Sequence, residues 1–189
     1  MADKFGLAFI EGFVTEQERL ALVELIEMHA IYLPTPPDLK WPRPPRRVDL
    51  SALGLELPTL IVERCGRALG VPARFCEGLQ GQVYSVGENY SPHFDAFSRG
   101  TPEFNRQMDR AGQRPFTAMV YLEAPRNGGT TTFPKLGVSI SPSAGLGVFW
   151  SNLDGDHRPH RLSMHSSPRI FKSRKVIATA WFRERTYER

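Results

Sequence analysis

The sequence predicts a mainly β fold with flanking helices, a jelly roll whose N-terminal helices pack on one sheet. Three observations carry this reading. Two segments with helical spacing of apolar residues occupy the first third of the chain. About eight short β-rich runs follow, most of them separated by glycine or proline. The composition, 41% hydrophobic and 23% charged, is that of a globular protein. At 189 residues one domain is expected over 1–189, with 1–78 as helical support and 79–184 as the jelly-roll core.

The first helix is expected over 16–29. Thr15-Glu16-Gln17-Glu18 matches a capping box, and Leu20, Leu22, Val23, Leu25 and Ile26 recur at helical spacing behind it. His29 falls at the helix end, where it suits the helix dipole better than a metal. Pro34, Pro36, Pro37, Pro42, Pro44 and Pro45 exclude regular structure over 34–47. That stretch reads as a surface loop, with Trp41 and Arg43 as rival substrate contacts. A second helix is expected over 58–69, with Pro58 near its first turn and Gly70 as its stop. The strands then read as 79–86, 90–97, 116–123, 130–133, 138–141, 146–151, 161–165 and 175–184. Between them, 98–114 is polar and charged and comes directly after the second strand, which makes it a candidate lid.

Charge and cysteine content narrow the function. Net charge is +4, from 24 Lys+Arg and 20 Asp+Glu, which suits an anionic small molecule or an acidic peptide. No long basic run supports nucleic-acid binding. Cys65 and Cys76 are the two cysteines and lack a metal-type spacing, so a disulfide framework is not expected and a cytoplasmic location is. The N-terminus lacks the form of a signal peptide, and no apolar run reaches membrane-spanning length.

The chemistry centres on His93-Phe94-Asp95. On a strand, residues i and i+2 share a face, so His93 and Asp95 supply two adjacent metal ligands. A second imidazole would complete a 2-His-1-carboxylate set with open positions, the arrangement of non-haem Fe(II) oxygenases. His157, His160 and His165 are the candidates for it. His157 and His160 lie in a loop-like segment, whereas Arg161, Ser163 and His165 share one face of an expected strand, which favours His165. In the last strand Lys175, Ile177, Thr179 and Trp181 share a face, and Val176, Ala178, Ala180 and Phe182 share the other. A lysine on the inner face needs a counter-ion, and a dicarboxylate supplies one, with Thr179 or Tyr84 adding a hydroxyl. Lys172 and Arg174 are its nearby rivals. Arg99, Arg106, Arg110 and Trp150 are candidate substrate contacts.

Several blocks resemble one family. Tyr84-Ser-Val-Gly87-Glu-Asn-Tyr90-Ser-Pro-His93-Phe-Asp95 is similar to the Y-x-x-G-x-x-Y-x-x-H-x-D segment of prolyl 4-hydroxylase-like 2-oxoglutarate dioxygenases. Gln113-Arg114-Pro-Phe-Thr117 through Tyr121-Leu122 resembles that family's Q-R-x-x-T strand. Gly128-Gly129-Thr130-Thr131-Thr-Phe133-Pro134 resembles its G-G-E-T-x-F-P, with Thr130 in place of glutamate. The run from Ser163-Met-His165 to Lys175 and Trp181 resembles its closing block, with Val176 where tryptophan is common.

The resemblance implies a double-stranded β-helix holding Fe(II) through His93, Asp95 and His165. It implies 2-oxoglutarate chelating the iron with its far carboxylate on Lys175, and Tyr84 beside it. O2 would split this co-substrate to succinate and CO2, with ascorbate in support, and a C–H bond of the substrate would be hydroxylated. Related halogenases replace the carboxylate ligand with a small residue, so Asp95 implies hydroxylation. The implied substrate is a prolyl residue of a peptide or protein, or a free amino acid. A small-molecule tailoring oxygenase and a silent jelly-roll binding module are the rival readings.

Overall fold

The structure, a computed structural model, describes residues 5–32 and 45–188. The chain runs β1 (Leu7–Ile10), α1 (Glu16–His29), β2 (Arg46–Asp49), α2 (Glu56–Leu69), β3 (Cys76–Tyr84) and β4 (Tyr90–His93). It continues through α3 (Pro102–Ala111), β5 (Phe116–Glu123), β6 (Asn127–Gly128), β7 (Thr131–Phe133) and β8 (Val138–Ile140). The last elements are β9 (Gly147–Ser151), β10 (His165–Ser167), β11 (Ile170–Lys172) and β12 (Lys175–Phe182). A six-stranded sheet in the order β1-β9-β5-β12-β3-β2 faces a four-stranded one in the order β4-β10-β7-β8. This is the jelly roll that the run of short strands predicts.

The helices close one face of the larger sheet. In α1 the capping box forms as its residues require: Glu18 N–H donates to Thr15 Oγ1 at 3.2 Å, and Thr15 N–H to Glu18 Oε2 at 2.8 Å. The same Glu18 carboxylate accepts from Arg64 of α2 at 2.6 Å, which ties the two helices together. That pairing holds its carboxyl at about 2. Leu22 and Ile26 of α1, with Ile61 and Cys65 of α2, pack against Val176, Ala178, Ala180 and Phe182 of β12. Helix α2 begins at Glu56, two residues before the expected start, and Gly70 ends it in the left-handed region (φ 69°). At Gly81 of β3 a Cβ would lie 2.4 Å from Ile26 Cγ1, so only glycine lets α1 approach so closely.

Four expectations need correction. The strand over 90–97 stops at His93, so Asp95 lies in a bend beyond it. The run 161–165 is not a strand: Arg161–Ser163 forms a 3-10 turn capped by the His160 ring, and β10 begins at His165. The polar stretch 98–114 contains α3, which Thr101 caps by accepting from Phe104 N–H at 3.1 Å, with Pro102 leading its first turn. The proline-rich segment does not exclude regular structure to its end, because Arg46 and Arg47 belong to β2. Trp41 and Arg43 lie outside the described residues. Among the described residues no helix is long and apolar enough to cross a membrane.

Candidate metal centre and co-substrate pocket

Antiparallel pairing brings the two histidines together. His165 of β10 is the cross-strand partner of His93 of β4, and their ring centroids stand 4.3 Å apart. Each ring is fixed by a nearby backbone carbonyl. His93 Nδ1 lies 2.8 Å from Ser91 O, and His165 Nδ1 lies 2.9 Å from Ser163 O. A carbonyl only accepts, so each Nδ1 carries a proton, and it is Nε2 of each ring that is left to offer a lone pair when the ring is neutral. Burial, followed by the charge of His165, lowers His93 to about 4, which leaves the imidazole neutral at physiological pH.

Asp95 joins them from the bend. Its Oδ1 is 3.7 Å from His93 Nε2, and its Oδ2 is 3.8 Å from His165 Nε2. One donor atom from each of the three residues lies within 4.8 Å of the others, a set of two nitrogens and one oxygen suited to Fe(II). Burial pushes the Asp95 carboxyl up, but His165, His93 and the Thr117 hydroxyl outweigh it and hold the group below its usual range. It is therefore ionised and ready to bind a cation.

No strand holds Asp95, so side chains from β5 and the residues before it do. Thr117 Oγ1 donates to Asp95 Oδ2 at 2.7 Å, and Arg114 donates to the Asp95 carbonyl at 3.2 Å. The Gln113 side chain clamps Phe97 on both sides, donating to its carbonyl at 2.8 Å and accepting from its N–H at 2.7 Å. The sequence motif marked Gln113, Arg114 and Thr117 as a block; their bonds to Asp95 and to Phe97 beside it emerge only in three dimensions.

Beside the triad, a cavity of about 240 Å³ runs between the sheets. Lys175, Ile177, Thr179 and Trp181 all line it, as strand alternation requires. Lys175 is 1% exposed; its ammonium donates to Gly129 O at 3.1 Å and to Ser167 Oγ, and lies 4.3 Å from the Tyr84 ring centroid. Among the described residues no carboxylate pairs with it, and burial lowers it to about 7. An acidic ligand in the cavity would supply the missing charge. Tyr84 is the cross-strand partner of Lys175, and its hydroxyl donates to Gln82 Oε1 at 2.8 Å. Thr179 is buried on the same face of β12, further along the strand.

The rivals stand elsewhere. His160 packs its ring 5.2 Å from Phe5, and its Nδ1 accepts from Leu162 N–H at 3.0 Å. His157 is exposed and pairs with Glu184 at 3.0 Å. Arg174 bonds Glu123 and Glu27, and Lys172 is exposed. Arg99, Arg106 and Arg110 are exposed and line no part of the cavity, whereas Trp150 lines it and packs 5.0 Å from the His165 ring. Arg47 and Met119, which sequence reasoning did not single out, line it as well.

The chain is similar to known proteins in sequence and in fold. Rat prolyl 4-hydroxylase subunit alpha-1 is 32% identical over 119 residues, covering 63% of this chain and 22% of the relative. Chicken prolyl 4-hydroxylase subunit alpha-2 is 34% identical over 130 residues, covering 67% of this chain and 23% of its own. The chain thus spans less than a quarter of either relative. Among solved structures, the viral collagen prolyl hydroxylase of Paramecium Bursaria Chlorella virus-1, in a 2OG complex, superposes with a TM-score of 0.75. That match is 24% identical and covers 94% of both chains. A Pseudomonas putida prolyl-4-hydroxylase superposes with a TM-score of 0.60 at 17% identity, covering 96% of this chain and 94% of its own. The sequence profile of the 2OG-Fe(II) oxygenase superfamily matches residues 79–183, more than half of the chain, which therefore belongs to that superfamily.

Proposed function

We propose that this chain is a prolyl hydroxylase acting on peptides, with His93, Asp95 and His165 as its Fe(II) ligands. Lys175 is then the anchor for the far carboxylate of 2-oxoglutarate. The observation that carries the reading is the buried ammonium of Lys175, which has no carboxylate partner among the described residues and lies in the same cavity as the triad. A cation so placed suits an acidic co-substrate that reaches the metal with its other end. Thr179 lines the same cavity further along β12, and Tyr84 covers the ammonium with its ring face.

Bound Fe(II), with 2-oxoglutarate and O2, supplies the oxidising chemistry, and the co-substrate leaves as succinate and CO2; ascorbate keeps the metal reduced. The chain's own work is positional. The two imidazoles present fixed lone pairs, Asp95 balances charge, and Trp150 and Phe133 pack the His165 ring in place. At the rim, the Arg114 guanidinium lies 4.8 Å from the Trp181 ring centroid, and the Tyr90 ring meets His93 edge-on at 4.2 Å. Trp181 and Tyr90 line the same cavity, and aromatic side chains there suit the ring of a prolyl residue. The named relatives support this substrate class, and one structural neighbour is a Trichoplax adhaerens prolyl hydroxylase complexed with a hypoxia inducible factor peptide fragment.

The test is mass spectrometry of proline-containing peptides after incubation with the protein, Fe(II), 2-oxoglutarate and O2. The proposal expects one oxygen atom gained on a prolyl residue, dependent on 2-oxoglutarate. Oxygen transfer to a free amino acid but to no peptide would overturn the substrate assignment.

A further inference from the structure

We propose that Asn152 is a positioning residue for the metal site, acting through Thr117 on Asp95. The inference rests on the metal set proposed above. Asn152 lies just beyond β9 and is fully buried, and its Nδ2 lies 2.8 Å from Thr117 Oγ1. Thr117 Oγ1 in turn lies 2.7 Å from Asp95 Oδ2. The direction of both bonds is set by the chemistry of the groups. An ionised carboxylate only accepts, so the single hydroxyl proton of Thr117 is committed to Asp95. The hydroxyl oxygen must then accept from its other neighbour, which fixes the Asn152 amide with its NH2 toward Thr117. The relay aims the carboxylate that no strand holds.

Two further observations point the same way. Asn152 Oδ1 is buried with no hydrogen-bond partner among the described residues. An amide with an orphaned acceptor is a poor choice for stability alone, so its donor half accounts for its presence. Asn152 also reaches the other arm of the triad through its backbone. Its carbonyl accepts from His160 N–H at 2.8 Å, the His160 carbonyl accepts from Ser163 Oγ at 2.8 Å, and Ser163 O holds His165 Nδ1. One residue thus braces Asp95 by its side chain and the His165 turn by its main chain. A side-chain substitution breaks the first and leaves the second intact.

The experiment is a Co(II) titration of the full chain, monitored by the visible ligand-field band and by affinity. It compares wild type with Asn152→Leu, Thr117→Val, Thr117→Ser and the double variant Asn152→Leu/Thr117→Val. Loss of a residue that orients a metal ligand weakens metal binding by roughly 10–100-fold. The expected result is such a loss, with an altered band, for Asn152→Leu and for Thr117→Val. Thr117→Ser, which keeps the hydroxyl, should bind as wild type does. Because the residues act in series, the double variant should be no worse than the weaker single one. The metal-free melting temperature of Asn152→Leu should stay near that of wild type, since its backbone bonds survive. Wild-type affinity and band in Asn152→Leu, or losses that multiply in the double variant, would overturn the proposal. Should Asn152→Leu not fold, equal Co(II) binding by Thr117→Val and Thr117→Ser overturns it instead. A wild-type protein with no Asp95-dependent Co(II) band would be a different failure, that of the metal site itself.

Discussion

The two faces of β12 divide the molecule's labour. Toward the helices it turns Val176, Ala178, Ala180 and Phe182, all buried in an apolar core with α1 and α2. Toward the other sheet it turns Lys175, Ile177, Thr179 and Trp181, which line a cavity shared with Asp95 and both histidines. The first face is closely packed and chemically silent. The second buries an ammonium, a carboxylate and several hydroxyl and amide groups, each of which opposes folding unless it is paired. The apolar face supplies the stability that the polar face draws on. Substitutions on the apolar face should therefore lower stability and leave binding intact, whereas those on the polar face should weaken binding without lowering stability.

The largest effect belongs to Asp95→Ala, which removes the carboxylate from the metal set. Turnover and Co(II) binding should be lost, while circular dichroism shows an intact fold. Next is Phe182→Ala on the silent face, which should lower stability by about 3–5 kcal/mol through the cavity it leaves. Its folded fraction should bind Co(II) with wild-type affinity; weakened affinity there would show that the two faces are coupled.

Lys175→Met comes third, and it should move the two properties in opposite directions. It removes a charge-assisted bond of about 1.5–3 kcal/mol to 2-oxoglutarate, visible in calorimetry as weaker binding with Co(II) affinity unchanged. The sign for stability comes from the lysine being held at about 7 in the fold against 10.5 when unfolded. Below about pH 7 the buried charge opposes folding in full, and this penalty fades as pH rises toward 10.5. The metal-free melting temperature of Lys175→Met should therefore exceed that of wild type at neutral and acid pH.

As the proposed anchor, the same lysine would set the pH dependence of co-substrate binding. Only its protonated form attracts a carboxylate, so affinity should be full well below pH 7 and weaken as pH rises through about 7 and above. His93 titrates at about 4 and does not change charge in this window. A flat profile in Lys175→Met, beside a sloping one in wild type, assigns the effect. The smallest effect is that of His160→Ala, which should keep wild-type Co(II) affinity. Loss of metal there, but not in His165→Ala, would exchange their roles.

Much of this division was legible in the sequence, and the exceptions have physical causes. Alternation along 175–182 separates the two faces of β12 because that strand is regular and paired on both sides with β3 and β5. His93 and Asp95 do meet, yet the strand argument for them is incomplete, since Asp95 is held by Thr117 and Arg114 rather than by a ladder. The edge strands β1 and β2 are four residues each and show no alternating pattern, so tertiary pairing decides them. Helix α3 carried a readable start in Thr101-Pro102, hidden by the polarity of the helix itself from Glu103 to Arg110. The Asn152–Thr117–Asp95 relay spans 35 and then 22 residues of sequence, a separation at which no local pattern speaks.

The most direct test of the shared site is succinate release from 2-oxoglutarate in the presence of Fe(II), O2 and a proline-containing peptide pool. Wild type, Asp95→Ala, Lys175→Met and Phe182→Ala would be run side by side, each normalised to its folded fraction. A shared site requires release by wild type and Phe182→Ala, none by Asp95→Ala, and a raised 2-oxoglutarate requirement in Lys175→Met. Undiminished release by Asp95→Ala, or an unchanged requirement in Lys175→Met, would contradict it.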